Sequence, residues 1–186
     1  MKKNVLMLVL MLVSVASFGQ NEVGSITLQP KVGVNIANLS EGNADARIGL
    51  AAGAEFEYQI SDMFSLSAGA IYSQQGAKAS NITTKLDYVN VPILVSSYVA
   101  KNFAFKLGVQ PGFKVNSQIS AKVGSTSGSA DFKAKSMDFS IPIGLSYQIS
   151  NFVIDGRYNW GLTEVVEGWK SKNSVFQFTI GYRFRM

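Results

Sequence analysis

From residue 26 to the end of the chain, apolar and polar side chains alternate almost without a break. A period of two puts successive side chains on opposite faces of a strand, so the alternation predicts an all-β fold. Eight windows carry it: 26–38, 47–60, 63–75, 85–99, 103–116, 136–149, 152–163 and 173–186. In the fifth, Phe103, Phe105, Leu107, Val109, Phe113 and Val115 oppose Lys106, Gly108, Gln110, Lys114 and Asn116. In the second, Ile48, Leu50, Phe56 and Tyr58 oppose Arg47, Gly49, Glu55, Glu57 and Gln59. The fourth is the least regular, because Pro92 lacks a ladder donor and marks a bulge or a break.

The connections alternate in length. Ser61-Asp62, Lys101-Asn102 and Ser150-Asn151 read as tight turns, whereas 39–46, 76–84, 117–135 and 164–172 read as longer polar loops. Gly124 to Ser129 is a Gly/Ser/Thr stretch within the third loop. Short turns at one end and long loops at the other are the pattern of an outer-membrane barrel. The expected fold is an eight-stranded antiparallel up-and-down transmembrane β-barrel over 26–186. Its even strand count places both termini on the short-turn, periplasmic side and the long loops outside the cell.

A soluble β-sandwich or a ligand-carrying barrel would also alternate. Two features favour the membrane. The polar face mixes Gly and Ser with charges of both signs, which suits a narrow interior. The aromatics of the apolar face gather at strand ends: Tyr58, Phe64, Phe103, Phe105, Tyr147, Phe152, Tyr182 and Phe184 near the short turns, and Tyr72, Phe113, Tyr158, Trp160, Phe176 and Phe178 near the long loops. Two aromatic girdles around an aliphatic band are what a bilayer selects.

The start of the chain agrees. Lys2 and Lys3 precede the apolar run Val5 to Val13, and Ser17 and Gly19 are placed like the small residues of a cleavage site. Residues 1–19 are therefore expected to be a cleaved signal peptide, with 20–25 a short lead into the barrel. Cleavage lowers the formal charge from +5 to +3 by removing the two lysines. After this segment no apolar stretch approaches the roughly 20 residues of a spanning helix. Only a closed barrel could then cross lipid.

Function is less constrained. The chain has no Cys and no His, so thiolate sites, disulfides and the commonest general base are missing. No catalytic residue, cofactor or metal site is expected. The basic residues are scattered, which gives no nucleic-acid footprint. Asn38 and Asn81 begin glycosylation sequons that matter little in a bacterial barrel, and Glu55 with Glu57 lacks a third metal ligand. Glu164, Glu167, Trp169 and Lys170 read as a solvated loop. The glycines on the polar face relieve crowding in a narrow lumen. What remains is an inward-facing charge network of Lys31, Glu55, Glu57, Lys106, Lys114, Asp138, Asp155, Arg157 and Arg183. Symmetric hairpins about residues 43 and 126 would pair Lys31 with Glu55 and Lys114 with Asp138. Asp155 and Arg157 share a face, and Arg47 and Arg185 also fall on inward positions.

The stretches YSQQGAK (72–78), LDYVNVPILV (86–95), GRYNWGLT (156–163) and FQFTIGYRF (176–184) resemble the PorT-like family of outer-membrane β-barrels. The likeness runs from about residue 26 to the end. It implies an eight-stranded barrel of the OmpA and OmpX build and transfers no site. The family takes its name from a member linked to a protein-secretion and gliding apparatus, a role that membership alone does not assign. The alternating aromatics of the last strand are similar to the signal used by the barrel-insertion machinery. Arg185 and Met186 continue past its final aromatic, Phe184.

Three functional classes stay open: a structural or interaction barrel within the envelope, a small-solute channel or transporter, and a membrane enzyme acting on lipid or protein. Strand number disfavours the second and the absence of His the third. The expected partners are outer-membrane lipid, the insertion machinery and envelope proteins of unknown identity.

Overall fold

The computed structural model describes residues 22–40, 45–79, 82–123, 126–131, 134–165 and 171–186. The signal peptide expected over 1–19, the sequon residue Asn81, and Glu167, Trp169 and Lys170 lie outside the described residues. The strands are β1 (Ile26–Leu39), β2 (Asp45–Gln59), β3 (Phe64–Ala79), β4 (Ile82–Asn90), β5 (Ile93–Ala100), β6 (Phe103–Val123), β7 (Thr126–Asp131), β8 (Met137–Ile149), β9 (Phe152–Glu164), β10 (Lys172–Tyr182) and β11 (Phe184–Arg185).

All pairings are antiparallel, and they occupy eight positions around one closed wall. β4 and β5 together make the fourth position, β10 and β11 the eighth. β1 closes the barrel against β10, from Lys31 opposite Gly181 to Leu39 opposite Asn173. The eight-stranded barrel expected from the alternation is the fold observed.

The fourth position breaks at Val91-Pro92, where the proline cannot donate. Val91 still donates to the Pro111 carbonyl at 2.8 Å, and the Pro92 carbonyl accepts from Gly69 N–H at 3.2 Å. The loop expected over 117–135 is in part a hairpin. β6 continues to Val123 and returns as β7, with Gln118 opposite Asp131. The loop expected over 76–84 is likewise mostly strand, since β3 reaches Ala79 and β4 begins at Ile82. Each extension supplies the other's partner: Ile82 lies opposite Ala121 and Leu86 opposite Ser117.

Burial follows the period of two. The polar face is inside: Gln29, Glu55, Ser65, Asp155 and Gln177 are buried. The apolar face is outside, with Val32 56%, Phe56 52% and Ile180 56% exposed. A continuous apolar wall of this kind is incompatible with water as its solvent and matches a hydrocarbon one. Aromatic contacts mark both rims. Phe152, Tyr182 and Phe184 touch at centroid distances of 5.3 and 4.6 Å near the short turns, and Tyr158 and Phe176 lie 4.7 Å apart near the loops.

At the long-loop end a small apolar cluster fills the mouth. Leu86, Tyr88, Ala134 and Val165 are buried together, with Leu39 packed against them. Lys135 N–H donates to the Val165 carbonyl at 2.8 Å, and Val165 N–H donates to the Ser171 carbonyl at 2.9 Å. The segments after β7 and after β9 thus bond to each other over the opening.

Candidate functional site

The lumen holds the chemistry. Inward positions of four strands bring Lys31 of β1, Glu55 of β2, Lys106 of β6, and Asp155 and Arg157 of β9 into one cluster. Each is at most 5% exposed. Lys31 Nζ donates to Glu55 Oε2 at 2.6 Å, and Lys106 Nζ donates to Asp155 Oδ2 at 2.9 Å. Arg157 is the hub. Its Nε and Nη2 clamp Asp155 at 2.8 and 3.0 Å, while Nη1 reaches Glu55 Oε1 at 2.9 Å. Charges this far from water persist only when paired and hydrogen-bonded. Here three cations share two carboxylates, with Lys31 also 4.0 Å from Asp155.

Glycines clear the space. A Cβ at Gly144 would stand 2.7 Å from Arg157 Cβ, and one at Gly69 2.8 Å from Glu55 Cγ. Hub and glycine therefore form one packing unit across neighbouring strands.

Nearer the short turns, Glu57 anchors a second cluster. It accepts from Arg183 Nη2 at 3.0 Å, from Tyr98 Oη at 2.6 Å and from Gln29 Nε2 at 3.0 Å. Arg183 Nη1 also donates to Gln148 Oε1 at 2.6 Å. Arg183 Nη2 lies 3.3 Å from Tyr98 Oη. Tyr98 is on the fourth position of the wall and Arg183 on the eighth, so this contact crosses the full diameter. Nearer the loops Asn173 of β10 and Tyr88 of β4 cross it again, with Nδ2 at 3.4 Å from Oη. Beside them Arg47 donates to the Gln75 carbonyl and lies 3.5 Å from Asp87, which also accepts from Asn116 at 3.1 Å.

Of the nine charged residues expected to form one network, Lys31, Glu55, Lys106, Asp155 and Arg157 meet in the first cluster. Glu57 and Arg183 meet in the second. Lys114 and Asp138 do not pair, which corrects the expectation. Lys114 Nζ donates to the Ala134 carbonyl at 2.8 Å and to Ser117 Oγ at 3.2 Å, while Asp138 accepts from Thr163 at 2.6 Å. Register separates them, since Gly112 and not Lys114 lies opposite Asp138, and the short aspartate does not make up the offset. The first hairpin is offset by the same two residues, with Gly53 opposite Lys31. There the long lysine still reaches Glu55 on the diagonal. Arg185, expected inside, is exposed near the chain end.

Tyr98, Gln29, Gln148 and Asn173 were not anticipated as partners. Their signal was parity alone, since all lie on inward positions, and uncharged residues do not announce a network. Asp87 was hidden for another reason. A register shift between Asp87 and Tyr88 leaves Leu86, Asp87 and Tyr88 consecutively buried, so the period of two fails there.

Comparison with known proteins places the fold. No curated protein is detectably similar in sequence. Among solved structures, Ail, the attachment invasion locus protein of Yersinia pestis, superposes with a TM-score of 0.54 at 16% identity, covering 88% of this chain and 100% of Ail. Neisserial surface protein A gives 0.51 at 15%, covering 86% and 97%. Ail in a phospholipid bilayer nanodisc gives 0.50 at 16%, covering 87% and 99%. At these identities the likeness is one of fold. The sequence itself matches the family described as the outer membrane protein beta-barrel domain over residues 18–167. The chain belongs to that family of bacterial outer-membrane barrels.

Proposed function

We propose that this protein is a plugged barrel with a structural or interaction role in the envelope, acting through its loops and rims and carrying out neither catalysis nor solute transport. In this reading residues 1–19 are a cleaved leader, both termini face the periplasm and the long loops face outward. The PorT-like stretches belong to the same reading, which places the barrel within a larger envelope or secretion assembly. The last strand, FQFTIGYRF, would engage the insertion machinery during biogenesis.

The observation that carries it is the pair of contacts across the full diameter, Arg183 to Tyr98 and Asn173 to Tyr88. Side chains of opposite walls that hydrogen-bond to each other leave no continuous water column between them. Eight strands give an interior only about wide enough for side chains to fill. The mixed signs of the lining also differ from the single-sign ring of a selective pore.

Planar-bilayer recording of the purified, refolded chain tests this. Insertion without stepwise conductance is expected. Reproducible ohmic steps with ion selectivity, altered by substitution of Arg157 or Arg183, would overturn the plugged reading in favour of a channel.

A further inference from the structure

At the long-loop end, the outward face of β1, β10 and β9 changes character within one row. Ile36, Phe176 and Tyr158 align across the three strands, and all are apolar or aromatic. In the next row Asn38, Ser174 and Trp160 align. Beyond it Ser40 N–H donates to the Lys172 carbonyl at 2.9 Å, and Lys172 N–H donates to Ser40 Oγ at 2.9 Å. The lipid-facing wall therefore ends here, and Trp160, 56% exposed, stands on the boundary.

β9 and β10 slip register between Lys172 and Ser174, and a pocket of about 300 Å³ lies at the slip among these side chains. Bulges re-aim side chains in this way beside functional sites. The floor is fixed by the hydrogen bond between Tyr158 Oη and Ser174 Oγ at 2.9 Å. Glu164, opposite Lys172 in the ladder, is turned to Lys135 at 3.5 Å. Among the described residues Lys172 forms no ion pair, and its side chain lines the pocket.

We infer that this pocket binds a phosphorylated sugar headgroup at the depth of the membrane surface. The indole of Trp160 offers a flat apolar face for a sugar ring. Ser40 and Ser174 offer two hydroxyls to ring hydroxyls, and Lys172 meets the phosphate. An interfacial tryptophan alone would explain Trp160 but neither the pocket nor the lysine that lines it. A zwitterionic headgroup lacks both the ring and the net charge. The ligand is either a glycolipid of the surrounding leaflet or a soluble phosphosaccharide. The site is on the outer wall, so an open or closed lumen leaves it unchanged.

The chain has two tryptophans, Trp160 and Trp169, and Trp169→Phe makes Trp160 the only reporter. The variant barrel is refolded into phosphatidylcholine nanodiscs and titrated with glucosamine 1-phosphate. A saturable change in Trp160 emission is expected. Lys172→Gln should weaken it roughly tenfold or more, the loss of a charge-assisted contact. Lys101→Gln, in a turn at the far rim, should leave it unaltered. Faster migration unboiled than boiled on denaturing gels verifies that each variant is folded. The inference fails if no saturable change occurs, if Lys172→Gln binds as well as its parent, or if inorganic phosphate binds as tightly as the sugar phosphate. Nanodiscs containing lipopolysaccharide separate the sources. Reduced apparent affinity for soluble glucosamine 1-phosphate assigns the pocket to the membrane lipid, and unchanged affinity assigns it to a soluble ligand; both support the headgroup chemistry.

Discussion

At the scale of single residues, the first cluster makes a ranking that pairwise counting misses. Three cations share Glu55 and Asp155. Asp155→Asn would leave Lys31, Lys106 and Arg157 facing Glu55 alone, and an uncompensated buried charge costs about 3–5 kcal/mol. Lys31→Met removes the excess cation and leaves two charges of each sign, with Glu55 still held by Arg157 at 2.9 Å. Its cost should be nearer the ordinary value of about 1 kcal/mol. Urea unfolding of the refolded variants in lipid vesicles measures both, and equal costs or the reverse order would show that the cluster is hydrated enough to screen its charges. The membership of this cluster was legible because long charged residues at inward parity have nowhere else to go. Its partners were less so. Hairpin symmetry placed Lys31 and Glu55 opposite each other, whereas the ladder sets them two residues apart, and only the reach of lysine rescued that pair. Lys114 turns to the Ala134 carbonyl instead, and Asp138, one methylene shorter than Glu55, is taken by Thr163.

At the scale of elements, the strands were readable because one face meets lipid and the other a packed lumen, so each side chain is sorted twice. Where that sorting ends, legibility ends too. Beyond Asn116 the alternation is weak, with Ile119, Ala121 and Val123 against Gln118, Ser120 and Lys122, and from Gly124 to Asp131 small and polar residues fill both faces, so QISAKVGSTSGSAD reads as loop. Its strand character comes from the ladder with β4, in which Ile82 to Asp87 pair with Ala121 to Asn116. Since β7 pairs among the described residues with β6 alone, and β4 would lose just the end pairs Thr83–Ser120 and Ile82–Ala121, the tip of this hairpin should be dispensable. Replacing residues 120–129 with Asn-Gly joins Ile119 to Ala130, which already face each other, through a two-residue turn that suits the strand twist. The shortened chain should refold as well as its parent, with stability unchanged within about 0.5 kcal/mol. Failure to reach the fast-migrating folded form on unboiled gels would instead make the hairpin a determinant of barrel register.

At the scale of the whole molecule, the proposed plug has two parts at two depths with different chemistry, and the two closures should act independently. Near the short turns, Arg183, Tyr98 and Glu57 cross the lumen through hydrogen bonds. Near the long loops, Leu86, Tyr88, Ala134 and Val165 fill it with apolar bulk. Glu57 bonds to Arg183, Tyr98 and Gln29, whereas Tyr88 bonds to Asn173. Opening one should therefore leave the other in place. Tyr98→Ala with Arg183→Ser removes the polar crossing and leaves Glu57 bonded to Gln29. Leu86→Ala with Tyr88→Ala removes the larger members of the apolar cluster. In planar bilayers each pair of substitutions alone should conduct no more than the parent, because resistances along one path add and the intact closure dominates the sum. All four together should give steps of measurable size. The central cluster of Arg157 would still stand in the path, so the current should remain well below that of a wide porin. Conductance from either pair alone would mean that the other closure is permeable as it stands, and silence from all four would move the decisive closure to Arg157 and its two carboxylates.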